Sequence, residues 1–483
     1  MSRRDLAFVL AVFATYCALA TFVPPFDDEF YYWCWSESLQ LSYYDHPPMT
    51  AYLIRAATAV FGNTLFAVRL PACVSTAFVF GVVLALSRPK RIVPWLLVTP
   101  VFSFGAVIVT PDTPLLMFWA AYVYWLVKVH ERMNVAERDA KIPLHLWLVG
   151  GLILGCGVLG KYTTGLAVPA GFLAFALAGR WRSWIAGYVL HGLVAFLVAS
   201  PILIHNIRHD FVPILYQWKH SMGTTDPSLK RFGEFVGIQF VLAGTMPFVL
   251  LPWVVANWRR LAADPRLRVC LCLYGFPILF FLYKATRGPL EGNWALVSYV
   301  AFWPLAAEWY ESARRRAIWR WAAPAAFLIP AAAMALGAIH LVRPLPFIPP
   351  INDRLLRQAE KYEIAKQVKK DWDALPEKLP VYTDTYQWVA ILRFCGVDAR
   401  QIDGLTRPSH FTQGRREHYT DVPRGYLLWD GDPWHFLPAR PDRILLPMDG
   451  LKEPTVERVY PMKVRDTLLA GFILWKYESK EIP

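Results

Sequence analysis

Apolar residues fall along this chain in long blocks separated by short polar breaks, and that rhythm predicts most of the architecture. A helix that crosses a bilayer needs about 20 mainly apolar residues. Blocks of that kind occupy 5–23, 64–86, 92–109, 113–129, 144–160, 163–178, 183–204, 235–256, 269–285, 294–310 and 322–342. They predict about eleven spans. Beyond the proline-rich joint at 343–350 the rhythm changes, and no block long enough to span remains. There Asp353–Ala374 reads as a helix, and Pro380–Thr383, Gly425–Trp429 and Arg443–Pro447 read as short strands. Thr455–Tyr477 reads as a closing hairpin. The pattern therefore predicts a mainly α, polytopic membrane domain over 1–342, with a first outer loop at 24–63, followed by an outer α/β domain over 343–483.

Composition agrees with this reading. Only 18% of the residues are charged and 55% are apolar, against about 25% charged in ordinary soluble domains. The net charge of +13 would suit a nucleic-acid partner if it formed one continuous face. Instead the basic residues sit in short clusters between apolar blocks, so no nucleic-acid partner is expected. The seven cysteines show no C-x-x-C and no metal-ligand spacing. Cys34 and Cys395 fall on the same face in this topology, which leaves a disulfide between them open. The N-terminal block lacks a small-x-small cleavage site before Pro24 and reads as a retained first span.

Orientation follows from the cations. With Arg3 and Arg4 inside, alternate breaks carry Arg88, Lys90 and Arg91; Arg132, Arg138 and Lys141; Arg180 and Arg182; Arg259, Arg260, Arg266 and Arg268; and Arg314, Arg315, Arg316 and Arg320. The intervening breaks hold acids, His, Asn and aromatics instead, so the chemistry is expected outside.

The richest outer segment is Pro25–Met49. It opens with Asp27, Asp28 and Glu29, continues through Phe30, Tyr31, Tyr32, Trp33 and Trp35, and closes on Asp45-His46-Pro47-Pro48. The aromatic run has the character of a short helix lying in the headgroup layer. The acids suit either a general base toward an acceptor or the cap of the following helix. Asp112, in Thr110-Pro-Asp-Thr-Pro114, has the same two readings. The two acids could share one cavity, able to bind an acceptor, a metal or a basic group. Lys161, at the end of the fifth block, suits either snorkelling to the headgroups or pairing with a lipid phosphate. Arg287 offers the same phosphate chemistry with bidentate geometry. His46, His205, His209 and His220 lack zinc spacing. No Walker loop or G-x-G-x-x-G is present, so a nucleotide site finds no support.

Several of these stretches, in order, resemble one family. Asp28-Glu29-Phe30-Tyr31-Tyr32-Trp33, Ser42 through Pro48, Phe66-Ala67-Val68-Arg69-Leu70-Pro71, Pro111-Asp112-Thr113-Pro114, Gly160-Lys161-Tyr162, His205-Asn206 through His220, and Asn293-Trp294 look like the bacterial protein O-mannosyltransferases and the lipid A aminoarabinose transferase. Those are integral-membrane glycosyltransferases of the GT-C fold. The C-terminal part, with Tyr386-Gln387 and Arg415 through Tyr419, is only loosely similar. One departure is that His46 stands where the lipid A branch often carries a lysine.

The resemblance implies inverting transfer of a sugar from a polyprenyl (undecaprenyl) phosphate at the outer face of the bacterial inner membrane. The acceptor would be lipid A or its core glycan, another glycolipid or a protein. It implies Asp28 and Asp112 as catalytic acids. The substrate-binding candidates are Glu29, Tyr32, Asp45, His46, Lys161, Tyr162, Asn206, His220, Arg287 and Asn293, with Lys161 and Arg287 placed by phosphate chemistry. No cofactor is demanded, and a divalent metal is left open. The alternative is a polytopic lipid or solute transporter that uses the outer acids for coupling, although no paired broken helices in matching halves are apparent.

Overall fold

The computed structural model describes residues 2–88, 90, 93–103, 105–135, 141–222, 226–288, 290–313, 319–413, 423–431, 451–452 and 454–480. Arg415 through Tyr419 and the expected strand Arg443–Pro447 lie outside the described residues. The chain divides into two units, Met1–Thr21 with Gln40–Arg343, and Phe22–Leu39 with Pro344–Pro483. The expected first outer loop, 24–63, is thus shared between them.

The first unit is helical. In chain order it contains α1 (Arg3–Phe22, whose last residue belongs to the other unit), α3 (Met49–Phe61), α4 (Leu65–Leu86), α5 (Val93–Leu97), α6 (Asp112–Val135), α7 (Leu144–Gly160) and α8 (Ala167–Ala178). It continues with α9 (Trp181–Arg208), α10 (Val212–Met222), α11 (Leu229–Ala243), α12 (Met246–Ala263), α13 (Pro265–Arg287), α14 (Leu296–Ala313) and α15 (Trp319–Val342). Among the described residues α1, α4, α9 and α13 are each long and apolar enough to cross a membrane, and the α11–α12 pair passes the same test together.

Two expected spans are corrected. The 92–109 block is not one helix, because α5 gives way to 3-10 turns at Pro100–Phe102 and Gly105–Val107. Pro100 has no N–H for a helical ladder, and the hydroxyls of Thr99 and Ser103 turn back onto the carbonyls of Trp95 (2.7 Å) and Leu97 (2.5 Å). The 235–256 block is split between α11 and α12, which meet at 105°. Gly244 stands at the break with φ +76°, a conformation that costs a glycine little.

Helices pack closely where small residues admit large ones. A Cβ on Gly150 of α7 would come within 2.2 Å of the Trp125 ring of α6, and one on Gly187 of α9 within 2.1 Å of the Trp147 ring of α7. The fully buried Arg69 of α4 donates to the Ala20 carbonyl of α1 (2.9 Å), and Ser75 of α4 donates to the Thr113 carbonyl of α6 (2.7 Å). Segments expected on the basic face do meet. Lys90 pairs with Asp5, Arg266 donates to the Leu86 carbonyl (2.7 Å), and Arg180 donates to the Met133 carbonyl.

The second unit joins α2 (Asp27–Glu37) to α16 (Arg354–Ala374), α17 (Tyr386–Phe394) and a five-stranded sheet. Its strands are β1 (Val381–Thr383), β2 (Ala399–Gln401), β3 (Arg424–Gly431), β4 (Thr455–Val464) and β5 (Thr467–Glu478), in the order β2-β1-β3-β5-β4. β1 runs parallel to β2 and β3, whereas β5 runs antiparallel to β3 and β4. The expected helix, β1, β3 and closing hairpin are present, and β2 and α17 were not foreseen. Tyr382, Leu427, Trp429, Leu451, Tyr477 and Ile402 form a buried cluster beneath the sheet.

The aromatic run of α2 does not form an interfacial belt. Phe30, Tyr31, Tyr32, Trp33 and Trp35 are all buried. Phe30 packs on Tyr362 (5.3 Å between centroids) and Phe394 (4.7 Å), and Tyr31 on Tyr386 (4.5 Å). A helix with aromatics around its whole circumference is as well suited to a protein interior as to a membrane surface. The two cannot be told apart until the partners are known. Cys34 and Cys395 both remain free thiols.

Candidate functional site

In the helical unit the local chain path brings three predicted residues together. Gly160 ends α7 so close to the first turn of α6 that a Cβ there would lie 3.1 Å from Pro114 and 3.2 Å from the Leu115 nitrogen. That approach delivers the next residue, Lys161, to the start of α6, where its Nζ donates to Asp112 Oδ1 at 2.7 Å. Asn293, in the turn Gly292–Ala295 before α14, donates its Nδ2 to Asp112 Oδ2 at 2.5 Å. Asp112 and Lys161 are both 7% exposed. A buried carboxylate is tolerable when a cation and hydrogen bonds compensate it, and here each of its oxygens has a donor.

Members of this clasp line two cavities. One, of about 350 Å³, is lined by His46, Lys161, Tyr162, Gln217, Trp218, Lys284 and Trp294, with Phe280, Phe281, Leu166, Ile214 and Leu290 among its apolar walls. Three basic side chains and no acid line it. The other, of about 340 Å³, carries Asp112 and Asn293 on its wall with no cation, amid Ala72, Val79, Phe102, Ile108, Leu116, Val241 and Leu242. Its Ser75 and Thr76 hydroxyls are turned to the carbonyls of Thr113 and Ala106.

The remaining predicted residues of this unit are placed as follows. Asp45 is buried, and its carbonyl accepts from Gln217 of α10. Asn206 is 1% exposed, its amide donating to the Ile202 carbonyl (2.9 Å) and accepting from the Ile214 N–H (3.0 Å). It therefore joins α9 to α10. Arg287 is exposed, its guanidinium over the Tyr283 ring at 5.9 Å, and it lines neither cavity. Lys284, one turn earlier on α13, lines the first cavity. The i, i+3 spacing of these two cations was a visible signal, but only the register of α13 decides which of them lines it. The side chain of His220 lies outside the described residues. Among the described residues no group of three or more His, Cys, Asp or Glu is placed to hold a metal ion.

The second unit sorts the three acids of α2. Asp27 pairs with Lys361 of α16 at 2.9 Å. Glu29, wholly buried, reaches back to accept from the Phe26 N–H at 3.0 Å, as the third helical residue does in a capping box. Asp28 remains partly exposed, and its Oδ1 accepts from the Tyr386 hydroxyl at 3.0 Å. Burial, and then the charge of Asp28, pushes the Tyr386 hydroxyl above its ordinary range, so it stays a donor. Arg407 lies over the Tyr386 ring at 4.2 Å. Tyr32 stacks edge-on with Trp35 at 4.9 Å.

Residues 45–205 match the family described as dolichyl-phosphate-mannose-protein mannosyltransferase. The lipid A galacturonosyltransferase RgtD of Rhizobium johnstonii is 29% identical over 309 residues, 60% of this chain and 62% of that protein. The undecaprenyl phosphate-alpha-4-amino-4-deoxy-L-arabinose arabinosyl transferase of Serratia proteamaculans is 24% identical over 267 residues, 52% of this chain and 47% of that protein. The chain thus matches about half to three-fifths of the length of these relatives. The crystal structure of ArnT from Cupriavidus metallidurans bound to undecaprenyl phosphate superposes with a TM-score of 0.63 at 13% identity, over 98% of each chain, and so has the same fold. The Cupriavidus structure thus shares the fold along the chain, and residues 45–205 carry the pattern of the mannosyltransferase family.

Proposed function

We propose that the protein transfers a sugar from undecaprenyl phosphate to an envelope acceptor (lipid A or its core glycan, another glycolipid or a protein). The reaction would take place at the periplasmic face of the bacterial inner membrane. In this reading 1–342 is the transmembrane transferase domain and 343–483 a periplasmic domain.

The observation that carries the reading is the acid-free cavity of the helical unit. It sets His46, Lys161 and Lys284 among Trp218, Trp294, Phe280 and Phe281. Cations in an apolar wall are the chemistry that a prenyl phosphate head requires. The Cupriavidus relative bound to undecaprenyl phosphate and the Serratia relative named for that carrier support the same donor class.

Glycosyl transfer from such a donor breaks the bond between the anomeric carbon and the phosphate oxygen, and charge develops on the phosphate. Ammonium groups held in a low-dielectric wall stabilise that charge more than water would. Asp112 orients one of them, the Lys161 ammonium, through its 2.7 Å contact. Asp28 is the candidate base, taking the proton of the acceptor hydroxyl or amine as it attacks from the face opposite the phosphate. The product is then inverted. Asp28 accepts from the Tyr386 hydroxyl, whereas Asp27 pairs with the Lys361 cation and Glu29 caps the helix start.

The test is undecaprenyl phosphate binding to the purified protein in nanodiscs, with and without Lys284→Gln. Replacing one charge-assisted contact is expected to weaken binding about tenfold or more. Equal binding by the two proteins would remove the cavity from the proposal.

A further inference from the structure

The clasp on Asp112 is itself braced from behind, by two residues that touch neither Asp112 nor Lys161 in any contact described above. Gln239 of α11 donates its Nε2 to the Gly292 carbonyl at 2.9 Å, and its Oε1 accepts from the Tyr299 hydroxyl of α14 at 3.0 Å. Gln239 is 3% exposed and Tyr299 2%. The orientation of the amide follows from its partners. The Gly292 carbonyl can only accept, so the NH2 must face it and the oxygen must face the phenol. The residue that follows Gly292 is Asn293, the donor to Asp112 Oδ2. A continuous series therefore runs Tyr299–Gln239–Gly292–Asn293–Asp112–Lys161, from α14 and α11 through the turn to the first residue of α6.

Packing reinforces it. A Cβ on Gly292 would lie 2.1 Å from Ile238 Cγ2 and 3.2 Å from Leu242 Cδ1, so α11 rests directly on this turn. A side chain there would force Ile238, and to a lesser extent Leu242, to give way.

We propose that Gln239 and Tyr299 are positioning residues for glycosyl transfer: they set the Gly292–Asn293 turn, and through it the carboxylate of Asp112 and the ammonium of Lys161. The consequence for catalysis rests on the functional reading above. The consequence for Lys161 does not.

The experiment uses the full-length protein in nanodiscs and the variants Gln239→Met and Tyr299→Phe. Two readouts are taken: steady-state transfer from a polyprenyl-phosphate sugar, and modification of Lys161 by an amine-reactive reagent, followed by peptide mass spectrometry. Gln239→Met is expected to lower kcat about tenfold to a hundredfold, the range of a small misplacement of a reacting group. KM for the donor should change less than about twofold, because the effect is on orientation rather than ground-state binding. Lys161 modification should rise while that of exposed lysines stays constant. Tyr299→Phe should move both readouts in the same direction by less. Gly292→Ala should reproduce Gln239→Met, and Ile238→Ala added to it should restore activity by returning the space.

Unchanged kcat and unchanged Lys161 modification in Gln239→Met would overturn the proposal. So would a uniform rise in modification at all lysines with a fallen unfolding midpoint, which is general loosening. A wild-type protein that transfers no sugar would overturn the functional reading alone, since Lys161 modification still decides the brace.

Discussion

Asp28 and Asp112 each stand in the first turn of a helix, yet the two acids are treated in opposite ways. Asp112, 7% exposed, has one oxygen on the Lys161 ammonium and the other on the Asn293 amide. Asp28 belongs to the other unit, is partly exposed, and accepts from the Tyr386 hydroxyl. A charge taken out of water must be compensated in place, and the compensation then fixes its geometry. A charge left partly in water keeps access to an incoming group. The difference teaches that the Asp112 carboxylate is fixed by its partners on both oxygens, and under the proposed function it leaves Asp28 as the acid to test for proton transfer.

The sharpest break would come from Asp28→Asn. The amide keeps the shape and can still accept from Tyr386, but it cannot take a proton. Sugar transfer is expected to fall by about 10²–10⁴, the usual value of a general base, with the unfolding midpoint unchanged. Transfer at wild-type level would move the base elsewhere.

A second break is thermodynamic. Lys161→Met leaves the Asp112 carboxylate buried without its cation, and breaking a buried pair from one side costs about 3–5 kcal/mol. The double change Lys161→Met with Asp112→Leu removes the charge as well and should recover most of that loss, as read by denaturant unfolding. A double variant no more stable than the single one would mean that the pair contributes little.

The same contrast explains how far the chain was readable. Both acids, Lys161 and Asn293 stood out as candidates because polar residues at the ends of apolar blocks are few and their residue types are informative. Helix-breaking chemistry was also written at Pro100 and Gly244, but apolar content alone ran the 92–109 and 235–256 blocks through it. What could not be read was pairing across distance. Nothing local says that Lys161 meets Asp112, a separation of 49 positions, or that Tyr386 reaches back to α2 across 358. The aromatic run of α2 failed for the same reason. Burial against Tyr362 and Phe394 and burial in lipid headgroups require the same residues, and only the fold of the C-terminal unit decides between them. Which of Lys284 and Arg287 lines the cavity is a matter of helical phase.

The smallest expected effect refines the comparison most. Tyr386→Phe removes one hydroxyl and keeps the ring, with its packing on Tyr31 at 4.5 Å and Arg407 over its face at 4.2 Å. Because Asp28 is partly exposed, water can take the vacated position, so stability should fall by no more than about 1 kcal/mol. Transfer should fall by less than about tenfold, since the hydroxyl orients the carboxylate without supplying the proton acceptor. The wild-type hydroxyl, raised by burial and by the charge of Asp28, stays protonated at neutral pH. The ratio of wild-type to variant rate should therefore be flat from about pH 6 to pH 8, well below the ordinary tyrosine range near 10. A variant as inactive as Asp28→Asn would place Tyr386 against the substrate itself, and a ratio that climbs with pH would make the phenol a proton carrier instead of a brace.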